Sequence, residues 1–332
     1  MASPNFEQPL GAQAMTEIMT QIMAGQAAEP LIREFLTTLA RRGETAEEIA
    51  AAVSVLHSHA VSVPLKNSGN LCDTCGTGGD GQGTINVSTL AALVAAAAGA
   101  RIAKHGNRAA SSRCGSADLL EALGVNLAAT PAQVARCIDE AGFGFCFAPA
   151  FHPAMKAVSA IRKSLGIRTI FNLIGPLANP CPLSYQLVGV SEERLLMPMA
   201  EALSRLGIRH GLVVHGADGL DEATTTGPTQ AIEVTGASFK SMELTPASLS
   251  IPQGKLEELR GGDCTRNVHI AQEILSGTAS PARDIIVLNA ACALYAADVA
   301  GTVLEGLKQA RAAIASGAAR RVLERVKELS HA

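Results

Sequence analysis

Between Cys75 and Ala100 the chain reads CGTGGDGQGTINVSTLAALVAAAAGA, with five glycines inside eight residues: Gly76, Gly78, Gly79, Gly81 and Gly83. Glycine permits backbone conformations and close approaches that a Cβ forbids. A run of amides can then converge on an anion, helped by the N-terminus of the helix that Ser88 or Thr89 opens. The segment has neither the Gly-Lys-Ser/Thr of a Walker loop nor the G-x-G-x-x-G of dinucleotide folds. Asp80 would repel a bare phosphate, so it suits a ligand with hydroxyls or bound Mg²⁺ beside its phosphates. A flexible turn is the competing explanation of the glycines alone.

After the next apolar stretch comes KHGNRAASSRCGSADLLEALG, Lys104 to Gly124. Lys104 and Arg108 supply positive charge, and Asn107, Ser111, Ser112 and Ser116 supply neutral hydrogen-bonding groups. A surface salt-bridge patch would account for the cations, but poorly for so many donors where a strand ends and open α/β sheets place ligands. Further on, HGADGLDEAT sets Asp221 beside Glu222 in a glycine-bounded loop. Adjacent carboxylates there suit a hard cation such as Mg²⁺, and a solvated acidic turn is the alternative. The lone C-x-x-C of Cys72 and Cys75 has no second pair at zinc spacing, so it reads as core thiols.

These segments need a frame to hold them. The first seventy residues are helical in pattern, with Thr45 and Glu48 as a capping box for a helix that should stop before Val63-Pro64. From Leu71 onward, LCDTCG, RIAKHG, FGFCFAP, GLVVHG and QAIEVT read as strands. Helices should start near Ser88, Ser116, Thr130 and Glu192, with Thr130-Pro131-Ala132-Gln133 the clearest start. Strands alternating with helices predict an α/β domain with a largely parallel sheet. Ser280-Pro281 and Thr302–Glu305 open further helices toward the C-terminus.

The 332 residues suffice for two domains. Their 48% hydrophobic and 17% charged content is that of a globular protein rather than a disordered one. A net charge of −3 gives no general attraction to nucleic acid or membrane, so any affinity for a phosphorylated ligand must come from a local site. The eight Cys show no secretory spacing, and no basic-then-apolar leader opens the chain. The longest apolar run, Leu90 to Ala100, is about half the roughly 20 residues of a membrane span. A cytoplasmic location is expected.

Taken in order, GTGGDGQGTINVST, KHGNRAASSRCGSADLLEALG, FAPAFHPAMKAVSAIRKSLGIRTIFNLIGPLANP and VHGADGLDEAT closely resemble the anthranilate phosphoribosyltransferases of tryptophan synthesis. The similarity runs over nearly the whole chain. It implies a small N-terminal helical domain (1–70, joined by helices from about 153–180) packed on a larger α/β domain (71–332) with a central, largely parallel sheet flanked by helices, as in the nucleoside phosphorylase and phosphoribosyltransferase type. It also implies a homodimer contacting through the helical part, and Mg²⁺-dependent transfer of phosphoribosyl from 5-phosphoribosyl 1-pyrophosphate to anthranilate. On that resemblance Gly76, Gly79, Asp80, Thr84, Asn86, Val87, Ser88 and Thr89 contact the donor. Lys104, Asn107, Arg108, Ser111, Ser112 and Ser116 complete the donor site. Ser88, Asp221 and Glu222 hold Mg²⁺, with Lys104, Asp221 and Glu222 central to catalysis. Gly76, Asn107 and Arg162 meet the acceptor, and a guanidinium fork suits its carboxylate as an ammonium does not. Arg168 is left as a structural or channel residue.

The chain departs from the family pattern at a few points. Phe151 precedes a single His152 where two histidines are common, and it could line an aromatic pocket. Cys114 stands where a small non-thiol residue is usual, and CTRNVH (Cys264 to His269) differs as well. His105 is a further residue of interest. A pyrimidine nucleoside phosphorylase and a non-catalytic nucleic-acid-binding relative are the competing functional readings. The DE pair and the net charge oppose the second.

Overall fold

The computed structural model describes residues 5–109 and 112–332. Among these, seven strands build one sheet: β1 (Leu71–Gly76), β2 (Arg101–Gly106), β3 (Phe143–Phe147), β4 (Tyr185–Gly189), β5 (His210–Gly216), β6 (Thr229–Thr235) and β7 (Ser238–Leu244). Their order is β3-β2-β1-β4-β5-β6-β7. The first five run parallel, and β6 and β7 are antiparallel additions. From β1 the chain winds outward to β2 and β3, then returns to the other side of β1 as β4. The loops after β1 and β4 therefore diverge at the point where strand order reverses, the usual crevice for ligands in such sheets.

Side chains alternate across the pleat and feed different cores. Leu187, Leu212 and Val214 join one cluster with the helices Val87–Ala97, Pro281–Ala296, Val303–Ala315 and Ala318–His331. Val188, Val190 and Val213 face the opposite way, onto the helices Ala12–Met23, Glu29–Arg42, Ala46–Ser58 and Leu196–Arg205. Val158, Ile161, Ile170, Phe171 and Ile174 join that second core from the helices Lys156–Leu165 and Ile170–Ile174.

Helix ends follow the sequence closely. Thr45 Oγ1 accepts from the Glu48 amide at 3.2 Å, and Glu48 Oε2 accepts from the Thr45 amide at 2.9 Å. Thr130 and Gln133 make the same reciprocal cap, with Pro131 at the first position. β4 and β7 were not expected. YQLVG is short and follows a proline-rich stretch, while β7 is mostly exposed and polar and carries no alternating pattern.

Candidate active site

The glycine loop leaves β1 at Gly76, and Gly78, Gly79, Gly81 and Gly83 all take positive φ, between 64° and 79°. The 217–226 loop after β5 crosses directly over it. A Cβ on Gly76 would overlap the Asp221 carboxylate, and one on Gly189 would overlap the Asp221 carbonyl oxygen. The Gly78 amide donates to Asp221 Oδ2 at 2.6 Å, and the Ser88 amide donates to Glu222 Oε1 at 3.1 Å. Asn289, fully buried in the helix Pro281–Ala296, donates to the Ala223 carbonyl and accepts from its amide, so it fixes the loop from below.

Asp80, Asp221 and Glu222 thus crowd together. Burial first, and the Asp80 carboxylate second, push the Asp221 carboxyl up to about 7. Burial and Asp221 raise Glu222 well above the usual carboxylate range. These are hard oxygen donors whose mutual repulsion a divalent cation would relieve, and Ser88 adds a hydroxyl on the same turn. Among the described residues no three Asp, Glu, His or Cys side chains close around a metal, but Mg²⁺ keeps waters and phosphate oxygens as ligands, so the two carboxylates Asp221 and Glu222 with the Ser88 hydroxyl fit it.

Lys104 is buried on β2, where Nζ donates to the His105 carbonyl at 3.0 Å and to Cys75 Sγ at 3.3 Å. Burial opposes its charge, but Cys75, Asp73 and Glu222 outweigh it and hold the ammonium form. Asp73 is fully buried and accepts from the Thr74 and His105 amides and from Asn179 Nδ2. A carboxylate inside an apolar strand, with the asparagine of GPLANP as its partner, is a signal that the reading of strand LCDTCG passed over.

The segment after β2 is closed by its own side chains. Ser116 Oγ donates to the Asn107 carbonyl, and Asp118 Oδ2 accepts from the Ala109 and Gly115 amides, each at 2.9 Å. Arg108 pairs with Asp118 at 2.9 Å and Glu121 at 2.7 Å, so here its guanidinium faces helix Ser116–Ala122 rather than the glycine loop. Ser111 lies outside the described residues. Ser112 and Thr84 border a neighbouring cavity of about 390 Å³. Val87 and Thr89 bury their side chains, so their backbone is what this turn can present, while Asn86 donates to the Cys114 carbonyl.

A second cavity, of about 350 Å³, opens beside the glycine loop. Gly76, Asn107 and Arg162 all line it, although 86 positions separate the first from the last. Arg162 lies over the Phe171 ring with 5.0 Å to its centroid, and burial lowers its pKa. Among the described residues it pairs with no carboxylate. His105 and His152 line the same cavity and meet edge to face at 5.2 Å. Burial, then His152 and Lys104, bring His105 down to about 3, so its ring is neutral. Its Nδ1 lies 3.2 Å from the Gly175 carbonyl and must carry the proton, which leaves Nε2 as a buried acceptor without a partner among the described residues. Phe151 does not line this cavity. It is buried among Val63, Leu71, Ala103 and Cys146 behind the sheet. Arg168 packs its side chain over Gly79 and hydrogen-bonds to Ser191.

A helical bundle on a doubly covered sheet, with a glycine loop and buried carboxylates at the strand ends, defines a class of group-transfer enzyme. The chain matches the glycosyl transferase family α/β domain over residues 68–320 and that family's helical bundle domain over 6–60. An anthranilate phosphoribosyltransferase of Methanocorpusculum labreanum is 49% identical over 94% of this chain and 92% of its own. The crystal structure of the Thermus thermophilus anthranilate phosphoribosyltransferase superposes with a TM-score of 0.93 at 45% identity, covering 98% of this chain and 97% of that one. The Saccharomyces cerevisiae anthranilate phosphoribosyltransferase, solved in complex with PRPP and Mg, superposes with a TM-score of 0.88 at 30% identity over 97% of this chain and 94% of that one. The chain belongs to the anthranilate phosphoribosyltransferase family.

Proposed function

We propose that the chain transfers phosphoribosyl from 5-phosphoribosyl 1-pyrophosphate to anthranilate, releasing pyrophosphate. The observation that carries this is the grouping of Gly76, Asn107 and Arg162 around one cavity beside the glycine loop, to which the Gly78 and Ser88 amides tie the Asp221–Glu222 turn. The donor belongs along the positive-φ loop, where amides and the buried Lys104 ammonium face developing negative charge. Mg²⁺ held by Asp221, Glu222 and Ser88 would neutralise the departing pyrophosphate. The acceptor belongs in the cavity, with its carboxylate on Arg162 and its amine directed at the anomeric carbon. An aromatic amine is neutral and nucleophilic at pH 7, so a strong base is not required. On this reading His105, in the cavity wall, would accept a hydrogen bond from it through Nε2.

Dimerisation through the helical part, the division at residue 70 and a cytoplasmic location belong to the same proposal. The net charge of −3 supports the absence of a nucleic-acid partner. Among the described residues no helix is long and apolar enough to cross a membrane.

One assay tests the central claim. Anthranilate fluorescence should fall only when 5-phosphoribosyl 1-pyrophosphate and Mg²⁺ are both present. No loss under those conditions, with phosphate-dependent release of base from thymidine or uridine instead, would replace the proposal with a nucleoside phosphorylase.

A further inference from the structure

Two thiols that the chemistry above leaves idle meet at the rim of the donor site. Cys114 lies at the end of the segment that carries Asn107, Arg108 and Ser112, and Cys264 opens the helix Cys264–Leu275. They are 150 positions apart in the chain, yet the Cys264 thiol points at Cys114 with 2.6 Å between the sulfurs. Cys114 is buried but borders the 390 Å³ cavity, and Cys264 is half-buried, so a small oxidant has a route to the pair. The nearest comparable pair, Cys146 and Cys181, stands 3.9 Å apart and is wholly interior.

We propose that Cys114 and Cys264 form a reversible disulfide that weakens binding of the phosphoribosyl donor. A disulfide has an S–S length of about 2.05 Å, so closing the bond asks for a shift of well under an ångström. The oxidant is a hydroperoxide. The Cys264 thiolate attacks one oxygen of hydrogen peroxide, giving Cys264 sulfenic acid and, after protonation, one water. The Cys114 sulfur then displaces a second water from that sulfenic sulfur. Two thiols lose two protons and two electrons, and one peroxide becomes two waters. A dithiol reverses the bond by exchange. Cys264 is the more exposed of the two sulfurs, which makes it the attacking one and the buried Cys114 the resolving one. Burial, reinforced by the Cys264 thiol beside it, also pushes the Cys114 thiol up.

The bond would act on the donor site through its immediate neighbours. The Cys114 carbonyl accepts from Asn86, and Asn86 in turn accepts from Asn267 on the Cys264 helix at 3.0 Å. A covalent tie between the two sides holds residues 112–116 against that helix. In this arrangement Arg108 stays on Asp118 and Glu121, away from the glycine loop. The effect on donor binding rests on the donor site proposed above, whereas formation of the bond does not.

The test treats the purified full-length protein with hydrogen peroxide and digests it with trypsin without reduction. Cleavage after Arg113, Arg136, Arg260 and Arg266 isolates each cysteine in its own peptide, Cys114–Arg136 and Gly261–Arg266. The expected result is these two peptides linked, and unlinked again after dithiothreitol. In parallel, the KM for 5-phosphoribosyl 1-pyrophosphate should rise by at least about five-fold on oxidation, the lower end of ordinary coupling between sites, and return on reduction. Cys264→Ser should keep the reduced enzyme's KM and lose the response. Absence of the linked peptide from a protein that remains folded by circular dichroism overturns the proposal. So does a link that leaves the donor KM unchanged, or an equal KM rise in Cys264→Ser. If the reduced enzyme had no donor-dependent turnover at all, the functional reading would fail while the peptide result stayed interpretable.

Discussion

Arg162 concentrates what a single residue contributes here. It sits half-buried over Phe171, shares a cavity with Gly76 and Asn107, and meets no carboxylate among the described residues. A charge-assisted hydrogen bond to a ligand carboxylate contributes about 1.5–3 kcal/mol. Arg162→Ala should therefore raise the anthranilate KM by roughly 10- to 150-fold and that of the donor far less. Steady-state kinetics with each substrate varied in turn would decide it, and equal effects on both would make Arg162 a structural residue. The family resemblance groups these three residues in the sequence, where nothing in their own spacing does. The sequence gives no sign of the pairing of Asp73 with Asn179, whose meaning lies in burial beside Lys104, and Phe151, which could have lined an aromatic pocket, is instead packed among Val63, Leu71, Ala103 and Cys146 outside the cavity.

At the scale of elements, the crossing of the 217–226 loop over the ends of β1 and β4 is the critical joint. Both strands finish in glycine there, because the Asp221 backbone and carboxylate occupy the space of a side chain. At Gly189 the obstacle is a backbone oxygen, which cannot rotate away as a side chain could. Gly189→Ala should cost about 1–3 kcal/mol by overpacking, and it should raise the Mg²⁺ concentration needed for half-maximal rate. Urea unfolding and a Mg²⁺ titration would read the two effects, and an unchanged titration would uncouple the joint from the metal. Strands β1, β2, β3, β5 and β6 and the capped helices are legible because each has a local signal: apolar runs ending in glycine for β1, β2 and β5, runs stopped by Pro149 and Gly236 for β3 and β6, and reciprocal Thr caps for the helices. Strand β7 owes its existence to backbone pairing with β6 over Thr229–Thr235 and Ser238–Leu244, which leaves no imprint on residue type.

Across the whole molecule the chain divides its apolar residues between two faces of one sheet, and the N-terminal side contains a buried charge. Glu48 is fully buried, pairs with Arg42 and accepts from the Leu10 amide at 2.8 Å. Burial opposes its ionisation, yet Arg42 and the Leu10 and Thr45 amides hold the carboxyl below its ordinary 4.5. A lowered folded-state pKa means that this stabilisation is complete above the unfolded value and fades as pH falls through the folded one. Glu48→Gln should thus lose about 3–5 kcal/mol at pH 7, and its deficit against the parent should shrink below pH 4. Denaturant unfolding at pH 7 and pH 3 gives the comparison, and an equal deficit at both would remove charge from the explanation. The sequence announces the Thr45–Glu48 cap, but not that the same carboxylate also reaches Arg42 and Leu10. Long-range partnerships of this kind, like Cys114 with Cys264, exist only once the chain has closed on itself. The helices Lys156–Leu165 and Ile170–Ile174 illustrate the point further, since they pack into the bundle's core while Arg162 and Phe171 form a wall of the cavity. The cavity therefore takes one wall from the bundle's core, through Leu56, Arg162 and Phe171, and another from the sheet's strand ends, through Gly76, His105 and Asn107. A repacking of the bundle would shift the first wall against the second, so the fit of an aromatic ring between them depends on residues that never touch it.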